Sequence, residues 1–148
     1  MSVRMKFFYA WLHSAFGHPS VLTEARSINA LLRGQDHPFY RLSGGLSDFP
    51  PPNSRRHVDE TLVRVAQVEI GELTEYEYEG QGFTHHITRD RVRFEHSVFG
   101  ECPEWPIWCC TLAQYKAALL GYRQFLDMPK SIETELIIDL PEGEARCD

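Results

Sequence analysis

The sequence predicts an α+β fold: an antiparallel sheet of about five to six strands with two helices packed on one face. Three observations lead there. Period-two alternation of apolar residues recurs near both ends and through the middle of the 148-residue chain. Two other segments carry apolar residues at helical offsets. Strand-like and helix-like segments are segregated rather than strictly alternating, which argues against a doubly wound parallel sheet.

Residues 3–13 read as the first strand. Val3, Met5, Phe7, Tyr9 and Trp11 share one parity, and Phe8, Ala10 and Leu12 the other, so part of it is expected to be covered on both faces. Arg4 and Lys6 before this apolar stretch faintly resemble a signal peptide, but the stretch is short, aromatic and lacks a small-residue cleavage site. Ser20 then reads as the cap of a helix whose stripe is Val21, Ala25, Ile28 and Leu32, with Gly34 as its stop. Residues 35–60 hold Gly44-Gly45, Pro50-Pro51-Pro52 and Asn53-Ser54-Arg55-Arg56 and read as a long loop with at most a short strand around Phe39, Tyr40 and Leu42.

From Thr61 the pattern reads as a long bent strand to Glu79, with a bulge near Ala66-Gln67 bringing Val63 and Val65 into phase with Val68 and Ile70. A three-stranded meander follows. An Arg89-Asp90 turn pairs His86 with Arg93 and His85 with Phe94. An even-length loop around Gly80-Gln81 pairs Tyr78 with Phe83 and Tyr76 with His85. An odd loop would move Glu77 onto the apolar face, so the even one is preferred. The inner face is then Thr74, Tyr76, Tyr78, Phe83, His85, Ile87, Val92, Phe94 and His96, and Glu75, His86 and Arg93 form an outer row. Residues 99–110 are a proline-rich aromatic connector. Thr111-Leu112-Ala113-Gln114 is a capping box that opens a helix with the stripe Leu112, Tyr115, Leu119, Tyr122 and Leu126, widened by Ala118 and Phe125. A last strand is expected at 132–140, followed by a short acidic tail at 141–148.

The length suits a single domain spanning 1–148, and 43% hydrophobic with 24% charged residues is ordinary for a globular protein. No apolar run approaches the roughly 20 residues of a membrane-spanning helix. The net charge of −6 disfavours general nucleic-acid binding. The expected setting is the cytoplasm, with no membrane partner. The cysteines are Cys102, Cys109, Cys110 and Cys147. Adjacent Cys109 and Cys110 are a poor start for a disulfide framework, and there is no C-x-x-C pair, so reduced thiols with one of the pair buried are expected. His96 and Cys102 with Cys109 or Cys110 would be an unusual zinc set; no metal and no cofactor is expected.

The chemistry-bearing patterns are absent: no phosphate-cradling glycine loop, no H-E-x-x-H, no G-x-S-x-G elbow. Leu42-Ser43-Gly44-Gly45-Leu46 has the flavour of a nucleophile loop without its strand–turn–helix context. His85 and His96 on an inner face are more commonly hydrogen-bonded core residues than bases. A Cys110–His96 nucleophile pair lacks a third, orienting group. His86 between acidic and basic neighbours reads as part of a surface charge ladder, and His13, His18, His37 and His57 have no suggestive neighbours. No catalytic residue is assigned.

Charge is distributed unevenly. Residues 1–60 carry a balance of +2 and residues 61–148 one of −8. Between Arg64 and Arg89 there is no Lys or Arg but there are five glutamates, Glu69, Glu72, Glu75, Glu77 and Glu79. Three alternate with tyrosines, giving a ladder of carboxylates at roughly 7 Å spacing. Such a ladder either faces solvent or steers a basic partner. Glu72, Glu75, Tyr76, Glu77, Tyr78 and Glu79, with Trp105 and Trp108 as aromatic anchors, are the candidate partner-binding residues.

In size, acidity and element order the chain resembles the small acidic immunity proteins of bacterial polymorphic or contact-delivered toxin systems. The resemblance also rests on Pro103-Glu104-Trp105-Pro106-Ile107-Trp108-Cys109-Cys110-Thr111-Leu112, continuing through Tyr115, Leu119, Phe125-Leu126, Met128-Pro129 and Glu135-Leu136. It covers about the last third of the chain and transfers no binding residue. It implies a non-enzymatic protein that neutralises a cognate toxin by occluding or displacing its active site. Two other readings stand beside it. One is a small hydrolase or transferase with His85, His96 or a cysteine in a pocket under the 35–60 loop. The other is a structural or adaptor subunit in which Trp105 and Trp108 dock on a partner or on a second copy as a homodimer.

Overall fold

β1 (Val3–Trp11) is the strand on which the first sheet is built. Val3, Met5, Phe7 and Tyr9 on one parity are buried, as the alternation predicts. Its backbone is paired on both sides, antiparallel to β2 (Pro19–Ser27) with Phe7 opposite Thr23, and to the last strand with Phe7 opposite Leu136. Ser20–Ser27 is therefore strand and not the expected helix. The offsets of Val21 and Ala25 fit a helix, but β1 is a long apolar strand whose open ladder takes the segment as its partner, and tertiary pairing outweighs local propensity. The computed structural model describes residues 3–11, 19–27, 37–49 and 54–147. Ile28, Leu32 and Gly34 of that expected helix lie outside the described residues, as do Pro50-Pro51-Pro52-Asn53, His13 and His18.

The expected loop at 35–60 holds two helices, α1 (Tyr40–Leu46) and α2 (Ser54–Glu69). α2 also replaces the expected bent strand from Thr61. Its buried residues are Ser54, Val58, Thr61, Val65 and Val68, at steps of four and three, one stripe of a helix. The apparent change of strand phase at Ala66-Gln67 is that helical period; Val63 and Ile70, counted as strand residues, are exposed on its far side.

The second sheet has the order β3-β4-β5-β6, with β3 (Glu75–Glu79), β4 (Phe83–Thr88), β5 (Val92–His96) and β6 (Trp108–Cys110). His86 pairs with Arg93 and His85 with Phe94, as predicted. The β3–β4 loop is even, as predicted, so the faces are kept, but the register is shifted by two: Tyr78 sits opposite His85 and Tyr76 opposite Ile87. The outer row is thus Glu77, His86 and Arg93 rather than Glu75, His86 and Arg93. Thr74, expected on the inner face, is exposed before the strand begins.

α3 (Leu112–Leu126) opens with the predicted capping box: Gln114 N–H donates to Thr111 Oγ1 at 3.1 Å, and Thr111 N–H donates to Gln114 Oε1 at 2.9 Å. β7 (Glu135–Leu140) is the last strand, starting three residues later than expected. The α+β class stands, but the single expected sheet is two antiparallel sheets, β2-β1-β7 and β3-β4-β5-β6, and there are three helices.

α3 touches both sheets. Tyr115 meets His85 and Phe94 on the second, while Phe125 stacks on Tyr9 of the first. Gly121 lets α3 approach the first sheet: a Cβ there would lie 2.5 Å from Ile138 and 3.1 Å from Phe7. The apolar side chains of both sheets and the helices form one core cluster.

In β6 the two adjacent cysteines part. Cys110, opposite Val92, faces the core; Cys109, opposite Arg93, faces outward and is bridged to Cys147. The expectation of reduced thiols is corrected for these two: alternation does send the neighbours apart, but the tail returns to meet the outer one. Cys110 is a buried free thiol and Cys102 a half-buried one. The tail is also held by Gln114, whose Nε2 donates to Pro141 O at 3.0 Å and Gly143 O at 2.9 Å. Gln114→Ala removes half the capping box and both tail bonds, and is expected to cost about 2 kcal/mol in chemical denaturation. A loss below about 0.5 kcal/mol would show that water replaces the side chain.

Candidate functional site

Asp48, just beyond α1, is buried, and its carboxylate is fully engaged. Oδ1 accepts from Gly82 N–H at 2.9 Å, Oδ2 from Phe83 N–H at 3.0 Å, and Oδ2 lies 3.2 Å from His85 Nε2. His85 Nδ1 lies 2.8 Å from the Tyr115 hydroxyl, and Tyr78 O–H donates to the Asp48 carbonyl at 2.8 Å. Burial lowers the proton affinity of His85, opposed by its hydrogen bond to Asp48 and that carboxylate's charge. A neutral His85 satisfies every contact: Nε2–H donates to Asp48 and Nδ1 accepts from Tyr115. Burial holds the Tyr115 hydroxyl protonated, its pKa well above the ordinary tyrosine value. Burial, then the Asp48 charge, pushes Tyr78 up to about 12. Gly80 is required here, because a Cβ would lie 2.5 Å from the Asp48 carboxylate.

An acid, an imidazole and a hydroxyl in line have the order of a nucleophile relay, but the hydroxyl is a fully buried tyrosine and His85 has no solvent exposure. The contacts tie the end of α1 to β4 and α3. Sequence reasoning missed Asp48 because a carboxylate before a proline run carries no local sign of burial. The other groups considered for catalysis lie apart. Cys110 is buried, which raises its thiol pKa far above the ordinary value. It stands opposite Val92, four residues or roughly 13 Å along β5 from His96. Neither the cleft lined by Val21, Tyr40 and Tyr122 nor the one lined by Gly71, Glu75 and Arg89 includes His85, His96 or Cys110. Among the described residues no group of three metal-ligating side chains converges.

The eight candidate partner-binding residues divide. Tyr76 and Tyr78 face inward: Tyr78 stacks on Phe49 at 4.6 Å between ring centroids, and Tyr76 lies under the Arg64 guanidinium at 5.8 Å. Trp108 is half-buried against Phe39 and Phe94. Glu72, Glu75, Glu77 and Glu79 are exposed. Glu77 lies 3.6 Å from His86, which also lies 3.7 Å from Glu95; Arg93 is 3.7 Å from Glu95. Among the described residues no cation forms an ion pair with Glu72, Glu75 or Glu79. Arg93 of β5 is thus paired with Glu95 on its own strand rather than with the outermost strand.

Trp105 stands at the turn end of this sheet, 36% exposed, with its ring 5.1 Å from His96 and 5.8 Å from Phe83. Arg41 covers it at 5.0 Å, a contact between distant segments that the sequence does not announce. Phe99 stacks on the His96 ring at 5.0 Å and is 69% exposed; Val98 beside it is 74% exposed. Ser97 N–H donates to Gly82 O and Ser97 Oγ to Gly80 O, which sets this aromatic cluster beside the β3–β4 turn and hence beside Glu79. The structure therefore sets Trp105 against the inner-face rings of Phe83 and His96 at the turn end of the sheet, near Glu79 alone of the glutamates, and withdraws the two tyrosines and Trp108 into support.

His37 is also buried and shifted below the ordinary histidine value by desolvation. Both histidines bind protons less readily folded than unfolded, so the unfolded chain holds more protons as pH falls below about 6.5. Their contribution to stability is present above that value and lost below it. The melting temperature is expected to be level between pH 8 and 7 and to fall between about 6.5 and 5. A melting temperature that rises on acidification through that window would exclude neutral, buried histidines. Comparison with known proteins returns no matching family model, no matching curated protein and no matching solved structure.

Proposed function

We propose that the chain is a non-enzymatic binding protein that neutralises a cognate bacterial toxin, in the manner of the immunity proteins it resembles. The observation that carries the reading is β3: Glu75 and Glu79 have no ion-pair partner among the described residues, and the strand ends beside exposed Val98, Phe99 and Trp105. A negative field steers a basic surface into place, and exposed aromatics supply the area that holds it. Tyr76, Tyr78 and Trp108 act from beneath, fixing the strand and the connector. Burial of His85 and Cys110, and the separation of Cys110 from half-buried His96, weigh against the hydrolase or transferase reading.

Co-expression with the protein encoded next to it tests the proposal. Growth arrest by the neighbour, relieved by this chain through a stable complex, is the expected result; a harmless neighbour or no complex overturns it. Within that complex, Glu75→Lys, Glu77→Lys and Glu79→Lys together are expected to slow association about tenfold or more at low salt. An unchanged rate removes these residues from the interface.

The meeting place proposed is the cytoplasm. The Cys109–Cys147 bridge pulls the other way, since such bridges persist in oxidising compartments. Alkylation under denaturing, non-reducing conditions during lysis of native cells, followed by mass spectrometry, decides: four alkylated cysteines fit the cytoplasm, two fit an oxidising compartment.

A further inference from the structure

The two margins of the four-stranded sheet differ. β6 is bridged to the tail by Cys109–Cys147, whereas among the described residues β3 carries neither a bridge nor a strand on its outer side. The phase of the β3 backbone follows from one bond: Gly80 N–H donates to Phe83 O at 2.9 Å. Residues of an antiparallel strand alternate between turning both backbone groups toward the partner and turning them away. Tyr78 and Tyr76 share the phase of Gly80, so their N–H and C=O groups belong to the ladder with β4. Those of Glu75, Glu77 and Glu79 turn outward, and among the described residues they meet no backbone partner. The same three residues place their side chains on the exposed face.

We propose that this margin is a strand-addition site, occupied by an extended segment of a cationic protein in which Lys or Arg alternates with apolar residues. The proposal rests on the docking reading above and specifies its geometry. The open backbone sets the mode: three outward N–H and C=O pairs at roughly 7 Å spacing are what a further strand pairs with. The carboxylates set the sign: cations on the exposed face of the incoming strand stand beside Glu75, Glu77 and Glu79. Its other face lies next to half-buried Tyr76 and Tyr78, which asks for apolar residues. A second copy of this chain is disfavoured, since β3 against β3 sets glutamates beside glutamates.

Glu77 offers a clean test, because its N–H lies outside the β3–β4 ladder. Proline is tolerated at such edge positions and removes only the outward donor. The probe is an end-blocked eight-residue peptide of alternating lysine and valine, added to the full chain. Amide exchange measured by NMR is expected to slow at Glu75, Glu77 and Glu79 and to stay unchanged at Tyr76 and Tyr78. Glu77→Pro is expected to weaken the peptide about tenfold, and Glu77→Gln, which keeps the donor, about threefold. Two forms of the peptide, N-methylated on one or the other set of alternate residues, leave the protein untouched. One should bind like the parent and the other fail. Equal binding by both forms, unaltered exchange at the three glutamates, or no binding by the parent overturns the proposal.

The toxin complex separates this from the broader reading. If the triple lysine variant loses the toxin while Glu77→Pro keeps it, side-chain docking stands and strand addition falls. If the peptide adds as described but the neighbour is harmless, the edge chemistry stands and the immunity reading falls.

Discussion

The fold depends on one buried carboxylate. Among the described residues no Lys or Arg pairs with Asp48, and its two oxygens collect two backbone amides and a neutral imidazole. A buried charge is tolerable only with its lone pairs filled. Filling them fixes three things at once: the Gly82–Phe83 turn, the neutral tautomer of His85 and, through His85, the hydroxyl of α3's Tyr115. The turn in turn sets where β3 runs. The outermost strand, whose glutamates face solvent, is held in register by a carboxylate from another part of the chain. Gly80 stands where it does because Asp48 occupies the space a side chain would need.

Aromatic packing extends the same anchor. Phe49, next to Asp48 in sequence, stacks on Tyr78 and meets His85 and Tyr122. The inward Tyr78 thus reaches the core through one short segment, while Tyr76 lies under Arg64 of α2. The alternation of glutamate and tyrosine divides labour along β3: the tyrosines attach the strand, and the glutamates are left free to define its outer surface. The aromatic cluster at Trp105 is attached in a similar way, by His96 between two rings and Arg41 above.

What was legible in the sequence was what local periodicity encodes. The capping box of α3, the stripe of Leu112, Tyr115 and Leu119, the pairing of His85 with Phe94 and the parity of β3 follow from spacing alone. Where two periods fit the same residues the reading failed. Val21 and Ala25 suit a helix locally, yet the need of β1 for a second partner makes them strand. Val58, Val65 and Val68 are a helical stripe that valine's strand preference disguised. The two-residue register shift between β3 and β4 is invisible to parity, because even shifts leave every side chain on its own face. The glutamates and Trp105 were legible as site candidates from composition. Asp48, Arg41 and Cys147 were not, because their partners are more than thirty residues away in the chain.

The bridge between Cys109 and Cys147 gives the sheet a handedness of access. It lies on the outward face of β6, in line with Arg93, and brings the chain's last residues against that side. One side of the sheet thereby carries the segment around Cys147, and among the described residues no strand lies along the opposite margin. The covalent strap and the glutamates thus sit at opposite margins of one sheet, so a body resting along β3 would not have to displace the bridged segment.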